Sequence, residues 1–236
     1  PVSSDELNDC VGVAGFSGQG ASVTPCAVDT FKADVLSAAD CGACPTNSGS
    51  PAASDAEDDC IADAGYTGSG SSVIACAVDT FKADVLSAAD CGACPSNTGT
   101  GTATGVTAST ACQADAGYTG PNGLTPSACA ADTFKDAFGS AACAACPANS
   151  GTGGNSGTAA EDSCLADAGF TGSGSSVTEC SAGTYKAASG TALCDNCPSG
   201  KFKGSPGQDS ESNCVACHVN SDSPAGSDGG DDCLCN

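Results

Sequence analysis

At 236 residues and 22.2 kDa the chain carries 28 acids against 6 lysines and no arginine, a formal net charge of −22, and its Leu, Ile, Val and Phe number only 29. Those figures alone predict disorder, because so little apolar area cannot offset chain entropy, and they exclude partners that need a basic surface, nucleic acid and anionic membranes among them. The 20 cysteines reverse the first expectation: an even, regularly spaced set at this density reads as a disulfide scaffold in an oxidising compartment, not as a conventional enzyme core.

Residues 1–9 read as half of a linker, because the run from Pro1 to Cys10 aligns without gaps on Pro51 to Cys60. Cysteine-rich repeats follow over 10–59, 60–111, 112–163 and 164–213, and a C-terminal half repeat over 214–236. They open at Cys10, Cys60, Cys112, Cys164 and Cys214, spaced by 50, 52, 52 and 50 residues. The segment from Cys26 to Pro45 recurs unchanged from Cys76 to Pro95, which marks a tandem array. In the first repeat the pattern is Cys10, Cys26, Cys41 and Cys44, ending in Cys-x-x-Cys. Within that period lies a second one. Nine cysteines are followed five or six positions later by an aromatic: Phe16, Phe31, Tyr66, Phe81, Tyr118, Phe134, Phe170, Tyr185 and Phe202. Each ring is expected to cover a disulfide and to form the hydrophobic centre of its module.

Local patterns are weaker. From Asp29 to Asp40 the spacing of Phe31, Val35 and Leu36 predicts one or two helical turns. Gly68 to Ser72 and Asn149 to Thr158 are turn and linker chemistry. The expected fold class is a small disulfide-rich repeat protein, an elongated rod of tandem cysteine-rich modules, mostly irregular with short helices and strands. Contacts should fall between neighbouring modules.

The fourth repeat carries a resemblance. The run Cys180-Ser-Ala-Gly-Thr-Tyr185, a Gly/Ser turn, Cys194-Asp-Asn-Cys197-Pro-Ser-Gly-Lys-Phe202 resembles ephrin-receptor-like and tumour-necrosis-factor-receptor-like cysteine-rich repeats, as in secreted and surface proteins of protists and algae. The match is good from Cys180 to Cys217 and weaker in the earlier repeats, where Thr-Phe-Lys replaces Gly-Thr-Tyr. The family's ladder-like pairing, if carried over, implies Cys26 with Cys41, Cys44 with Cys60, Cys76 with Cys91, and Cys94 with Cys112. It continues with Cys129 to Cys143, Cys146 to Cys164, Cys180 to Cys194, Cys197 to Cys214 and Cys217 to Cys233. A competing scheme pairs first with third and second with fourth, Cys10 with Cys41 and Cys26 with Cys44, and satisfies every cysteine within one unit. Both stay open.

The ladder leaves Cys10 and Cys235 over. Since the sequence starts in the middle of a loop pattern, the missing partner of Cys10 is read as Cys235 of another copy, giving a head-to-tail filament with covalent or merely docked joints; the alternatives are that the chain simply starts there or that Cys10 pairs internally. A heterologous contact that does not close gives an open filament. Pro1 as first residue and the absence of Met suggest a processed, mature chain. No apolar stretch approaches the 18 or so residues of a membrane span, and no lipid-anchor tail stands at Asn236.

Other chemistry is less supported. Cys194, Cys197, Cys214 and Cys217 have the spacing of a four-thiolate zinc site, and Cys41-Gly-Ala-Cys44 has the outline of a redox dithiol without the strand and helix that motif needs. His218 is the only histidine and reads as solvated. Acidic clusters at Asp5 and Glu6, Glu57 to Asp59, Glu161 and Asp162, and Asp228 to Asp232 read as a solvated face, with weak calcium bridging as the alternative. Lys32, Lys82, Lys135 and Lys186 each follow a module aromatic and are expected to pair with those acids. There is no Asn-x-Ser/Thr sequon, but 51 Ser and Thr residues leave room for O-linked glycans, most densely from Thr98 to Thr110. The reading is a secreted, extracellular or cell-surface structural protein, non-enzymatic and without cofactor, the subunit of a coat or head-to-tail homopolymer. The alternative is an adhesion or receptor-type ligand-binding ectodomain.

Overall fold

The computed structural model describes residues 10–235. The half linker over 1–9, with Asp5 and Glu6, lies outside the described residues, as does Asn236. Among the described residues there is no α-helix. The chain forms two-residue strands, paired as antiparallel hairpins, and three-residue 3-10 turns. It divides into two compact units, one holding the residues up to Gln113 with Asn122–Thr125, the other Ala114–Pro121 with the residues from Pro126 onward.

Three hairpins recur along the sequence. An open hairpin, without a disulfide, pairs Phe16–Ser17 with Thr24–Pro25, and again Tyr66–Thr67 with Ile74–Ala75, Tyr118–Thr119 with Ser127–Ala128, and Phe170–Thr171 with Thr178–Glu179. A middle hairpin pairs Thr30–Phe31 with Gly42–Ala43, Thr80–Phe81 with Gly92–Ala93, Thr133–Phe134 with Ala144–Ala145, and Thr184–Tyr185 with Asp195–Asn196. A closing hairpin pairs Ser48–Gly49 with Ile61–Ala62, Thr98–Gly99 with Gln113–Ala114, Ser150–Gly151 with Leu165–Ala166, and Lys201–Phe202 with Val215–Ala216. Ser221–Asp222 with Leu234–Cys235 is a further hairpin of the last kind.

One local rule builds them all. The residue before each first strand has positive φ: Gly15, Gly65, Gly117 and Gly169 in the open hairpins; Asp29, Asp79, Asp132 and Gly183 in the middle ones; Asn47, Asn97, Asn149, Gly200 and Asn220 in the closing ones. Its successor donates back across a four-residue turn, as Thr133 N–H to Ala130 O at 3.1 Å and Tyr66 N–H to Asp63 O at 3.1 Å. A left-handed third position is where such turns take Gly, Asn or Asp, since short polar side chains tolerate it best. Gly65 is required for a second reason: a Cβ there would sit 2.3 Å from the Gly105 carbonyl oxygen.

The same backbone atoms stitch each hairpin to the next. Gly65 N–H donates to Lys82 O and Cys76 N–H to Gly65 O, both at 2.8 Å. In the fourth repeat Gly183 N–H donates to Lys203 O at 2.7 Å and Cys197 N–H to Gly183 O at 2.8 Å. Side chains add to the stitching between middle and closing hairpins. Asp79 and Thr100 exchange two bonds of 2.9 Å, backbone N–H to side chain in each direction, and Asp132 and Thr152 repeat the arrangement.

Two expectations are corrected here. The segment from Asp29 to Asp40 makes no helical turn: Thr30–Phe31 is a strand, Leu36 is left-handed at φ 54°, and Val35 and Leu36 are exposed. The aromatic rings are half-buried and do not form the centre. The wholly buried side chains are half-cystines such as Cys26, Cys60, Cys76, Cys112, Cys129, Cys164, Cys180 and Cys197, with Ala62, Ala114 and Ala166 beside them. With hairpins only two residues deep, no ring can be enclosed on all sides, whereas a sulfur bridge fits between them.

Candidate functional site

The residues that carry chemistry are the cysteines. Nine disulfides join Cys26–Cys41, Cys44–Cys60, Cys76–Cys91, Cys94–Cys112, Cys129–Cys143, Cys146–Cys164, Cys180–Cys194, Cys197–Cys214 and Cys217–Cys233, with Cα separations of 5.6–5.8 Å. In each, one cysteine opens a hairpin and the other immediately precedes its return strand. Loops of this size contribute about 3 kcal/mol each in the chain-entropy model. The alternative in which Cys10 meets Cys41 and Cys26 meets Cys44 is not the connectivity formed. Nor do Cys194, Cys197, Cys214 and Cys217 stand as four thiolates, since Cys197 is bonded to Cys214 while Cys194 and Cys217 are bonded to Cys180 and Cys233; Cys41 and Cys44 are likewise taken up by Cys26 and Cys60. Cys10 and Cys235 are the two left unpaired, and both are exposed.

The lysines are the second site, and here the sequence expectation of ion pairs with acids is overturned. Lys32, Lys82, Lys135 and Lys186 are buried, each 3–4% exposed, and their ammonium groups lie in cages of backbone carbonyls. Lys82 Nζ donates to Ala62 O at 3.2 Å, Tyr66 O at 2.7 Å and Ser87 O at 2.5 Å, with Asp63 O at 3.5 Å. Lys135 reaches Ala114, Asp115, Tyr118 and Gly139 at 2.6–3.1 Å, and Lys186 the matching Ala166, Asp167, Phe170 and Gly190. Lys32 donates to Gly12, Phe16 and Ser37. Each cage thus joins the first strand of an open hairpin to the loop of the following middle hairpin. Burial holds the Lys135 and Lys186 ammonium groups below the ordinary lysine value, with Asp115 and Asp167 respectively opposing the shift. The signal that could have revealed the cages is phase: four of the six lysines fall at one position of the repeat. Among the described residues the ion pair that does form is Lys201–Glu211, 3.0 Å and solvent-exposed.

The acids serve locally. Asp59 accepts backbone N–H groups of Asp55 and Ala56 at 3.0 and 3.1 Å, and Asp232 those of Asp228 and Gly229 at 3.1 and 3.2 Å, so both cap 3-10 turns. His218 is exposed. Tyr185 is held above the ordinary phenol value, by desolvation first and then by Glu211 and Asp195. Among the described residues no pocket opens, no three metal-ligating side chains gather, and no helix is long and apolar enough to cross a membrane.

The disulfide register of the fourth repeat has a counterpart among known families. Residues 171–214 match the tyrosine-protein kinase ephrin type A/B receptor-like family. The matched segment runs from the first strand of the last open hairpin through Cys180–Cys194 and Cys197–Cys214, and it includes Lys186 and Gly190 of the Lys186 cage, whose other carbonyls, of Ala166, Asp167 and Phe170, lie just before it. The ephrin receptor-like pattern thus coincides with one set of hairpins, and the same hairpins recur earlier in the chain. No curated protein matches the chain. Nine disulfides together with an ephrin receptor-like repeat make this an extracellular or surface-type, disulfide-stapled repeat protein.

Proposed function

We propose that the chain is an extracellular structural protein, the subunit of a surface coat or of a head-to-tail filament, non-enzymatic, with O-linked glycans on its Ser- and Thr-rich linkers. The observation that carries this reading is the state of the cysteines. Eighteen are locked in pairs within hairpins, while Cys10 and Cys235 are exposed and unpaired, one in each compact unit. A disulfide from Cys10 of one copy to Cys235 of the next is a heterologous joint that propagates without closing. The acidic surface keeps such a polymer soluble and offers weak calcium bridges at its exposed carboxylates.

Electrophoresis of the native protein without reductant, alongside electron microscopy, tests the reading. A ladder of multimers that collapses on reduction, with regular filaments in the images, is the expected result. Cys235→Ser should leave monomers. Monomers in the unaltered protein, with dispersed particles, would sink the filament. The match at residues 171–214 to a receptor-like family favours a second reading, an adhesion or ligand-binding ectodomain, which expects a monomer with a saturable partner.

A further inference from the structure

The disulfides are not spread evenly along the path that tension would take through the chain. From Cys26 the covalent path crosses to Cys41, steps to Cys44 and crosses again to Cys60; the same happens from Cys76 to Cys112 and from Cys129 to Cys164. From Cys180 it runs through five further cysteines to Cys233. Before the first of these blocks and between successive ones lie the open hairpins, spans of 16 residues from Cys10 to Cys26, 16 from Cys60 to Cys76, 17 from Cys112 to Cys129 and 16 from Cys164 to Cys180, with no bridge inside any of them. An isolated two-stranded hairpin is marginal in water. What holds these ones is the buried lysine of the next hairpin, whose ammonium binds carbonyls at the start of the open hairpin and is itself carried on a disulfide-closed frame.

We infer that the protein is a covalently limited extensible tether, in which each open hairpin is a releasable length of chain latched by a buried lysine. Under load these hairpins open first, since the ties across a span the cysteines leave free are non-covalent: the latch, backbone bonds and, in three of the four, a threonine hydroxyl that donates to the next loop (Thr67 to Ala89 O, Thr119 to Ala141 O, Thr171 to Ala192 O). The disulfide blocks then cap the extension. Charge-assisted hydrogen bonds, roughly twice as strong as neutral ones, make the lysine the dominant tie. Recovery is fast, because closing a span this short costs little entropy and hairpins form in microseconds. Extensibility is a property of one chain, so it stands whether or not chains join head to tail.

Single-molecule pulling on the oxidised protein, with handles attached through the Cys10 and Cys235 thiols, tests it. Four releases are expected, each adding about 5 to 6 nm of contour length at roughly 3.3–3.6 Å per residue. They should reverse on relaxation. Lys82→Met should lower the force of one release and leave three unchanged, and reductant should lengthen the releases as the blocks open. A single long extension from the oxidised chain, or releases that do not correspond to 16 or 17 residues, would overturn the tether. Unchanged forces in Lys82→Met would overturn the latch. Should that variant not fold, the number and length of releases in the unaltered chain decide by themselves.

Discussion

A lysine at the same phase in four repeats is a different object from a lysine on an acidic surface. In Lys135 the ammonium has left water and is enclosed by four carbonyls, so the side chain behaves as a cross-link that happens to be charged. Removing it leaves those oxygens buried without donors, at a cost of about 1 to 3 kcal/mol for unsatisfied groups of this kind. Lys201 is the natural control, for its partner Glu211 is exposed and such pairs contribute about 0 to 1 kcal/mol. Lys135→Met should therefore speed hydrogen exchange at the Gly117 and Cys129 amides, which bridge the same two hairpins, by roughly 5- to 150-fold. Lys201→Met should leave exchange at its own hairpin nearly unchanged. Equal small effects from both substitutions would mean the carbonyl cage adds nothing that an exposed ion pair does not.

Hairpins two residues deep have no ladder to speak of, so their geometry is set by the residue that turns the chain into the first strand. Gly65→Ala tests this most sharply. It places an L side chain at φ +81°, costing about 1 to 2 kcal/mol, and drives its Cβ against a carbonyl oxygen that belongs to another hairpin's backbone. The total should reach about 2 to 5 kcal/mol, read as a lower denaturant midpoint of the oxidised protein or as accelerated proteolysis at the second open hairpin. Gly153→Ala shares the positive φ but meets nothing within 4 Å, and should cost about 1 kcal/mol. The fold class was legible because cysteine spacing is a one-dimensional record of a one-dimensional repeat. The connectivity was not, since two schemes satisfied the same spacings and only the resemblance around Cys180 pointed to one of them. The helical reading of Asp29 to Asp40 failed because Val35 and Leu36 look like a buried stripe when no core exists to bury them. The lysines were misread for a related reason: an ammonium among −22 charges suggests carboxylates, and carbonyl acceptors leave no trace in composition.

Taken as a whole, the molecule has exchanged apolar burial for covalent closure. Among the described residues alanines and half-cystines make up the buried apolar side chains, and none of the larger aliphatic or aromatic ones is among them. Each bridge closes a loop of 14 to 18 residues, short enough to restrain the unfolded chain where it matters, next to the turn that starts each hairpin. If those restraints are the main reason the native state prevails, reduction alone should unfold the protein at neutral pH without denaturant. The driving force left would be a few half-buried rings against backbone entropy, with the net charge opposing any compact state. Nuclear magnetic resonance spectra of the reduced chain should lose amide dispersion throughout, and raising salt to screen the charge should not restore it. Dispersion that survives full reduction would show that the hydrogen-bonded turns and lysine cages suffice by themselves. Intermediate loss should follow the bridges: Cys76→Ser with Cys91→Ser, which opens only the second middle hairpin, should release the Lys82 cage and the open hairpin before it while leaving the amides around Cys180 and Cys197 protected.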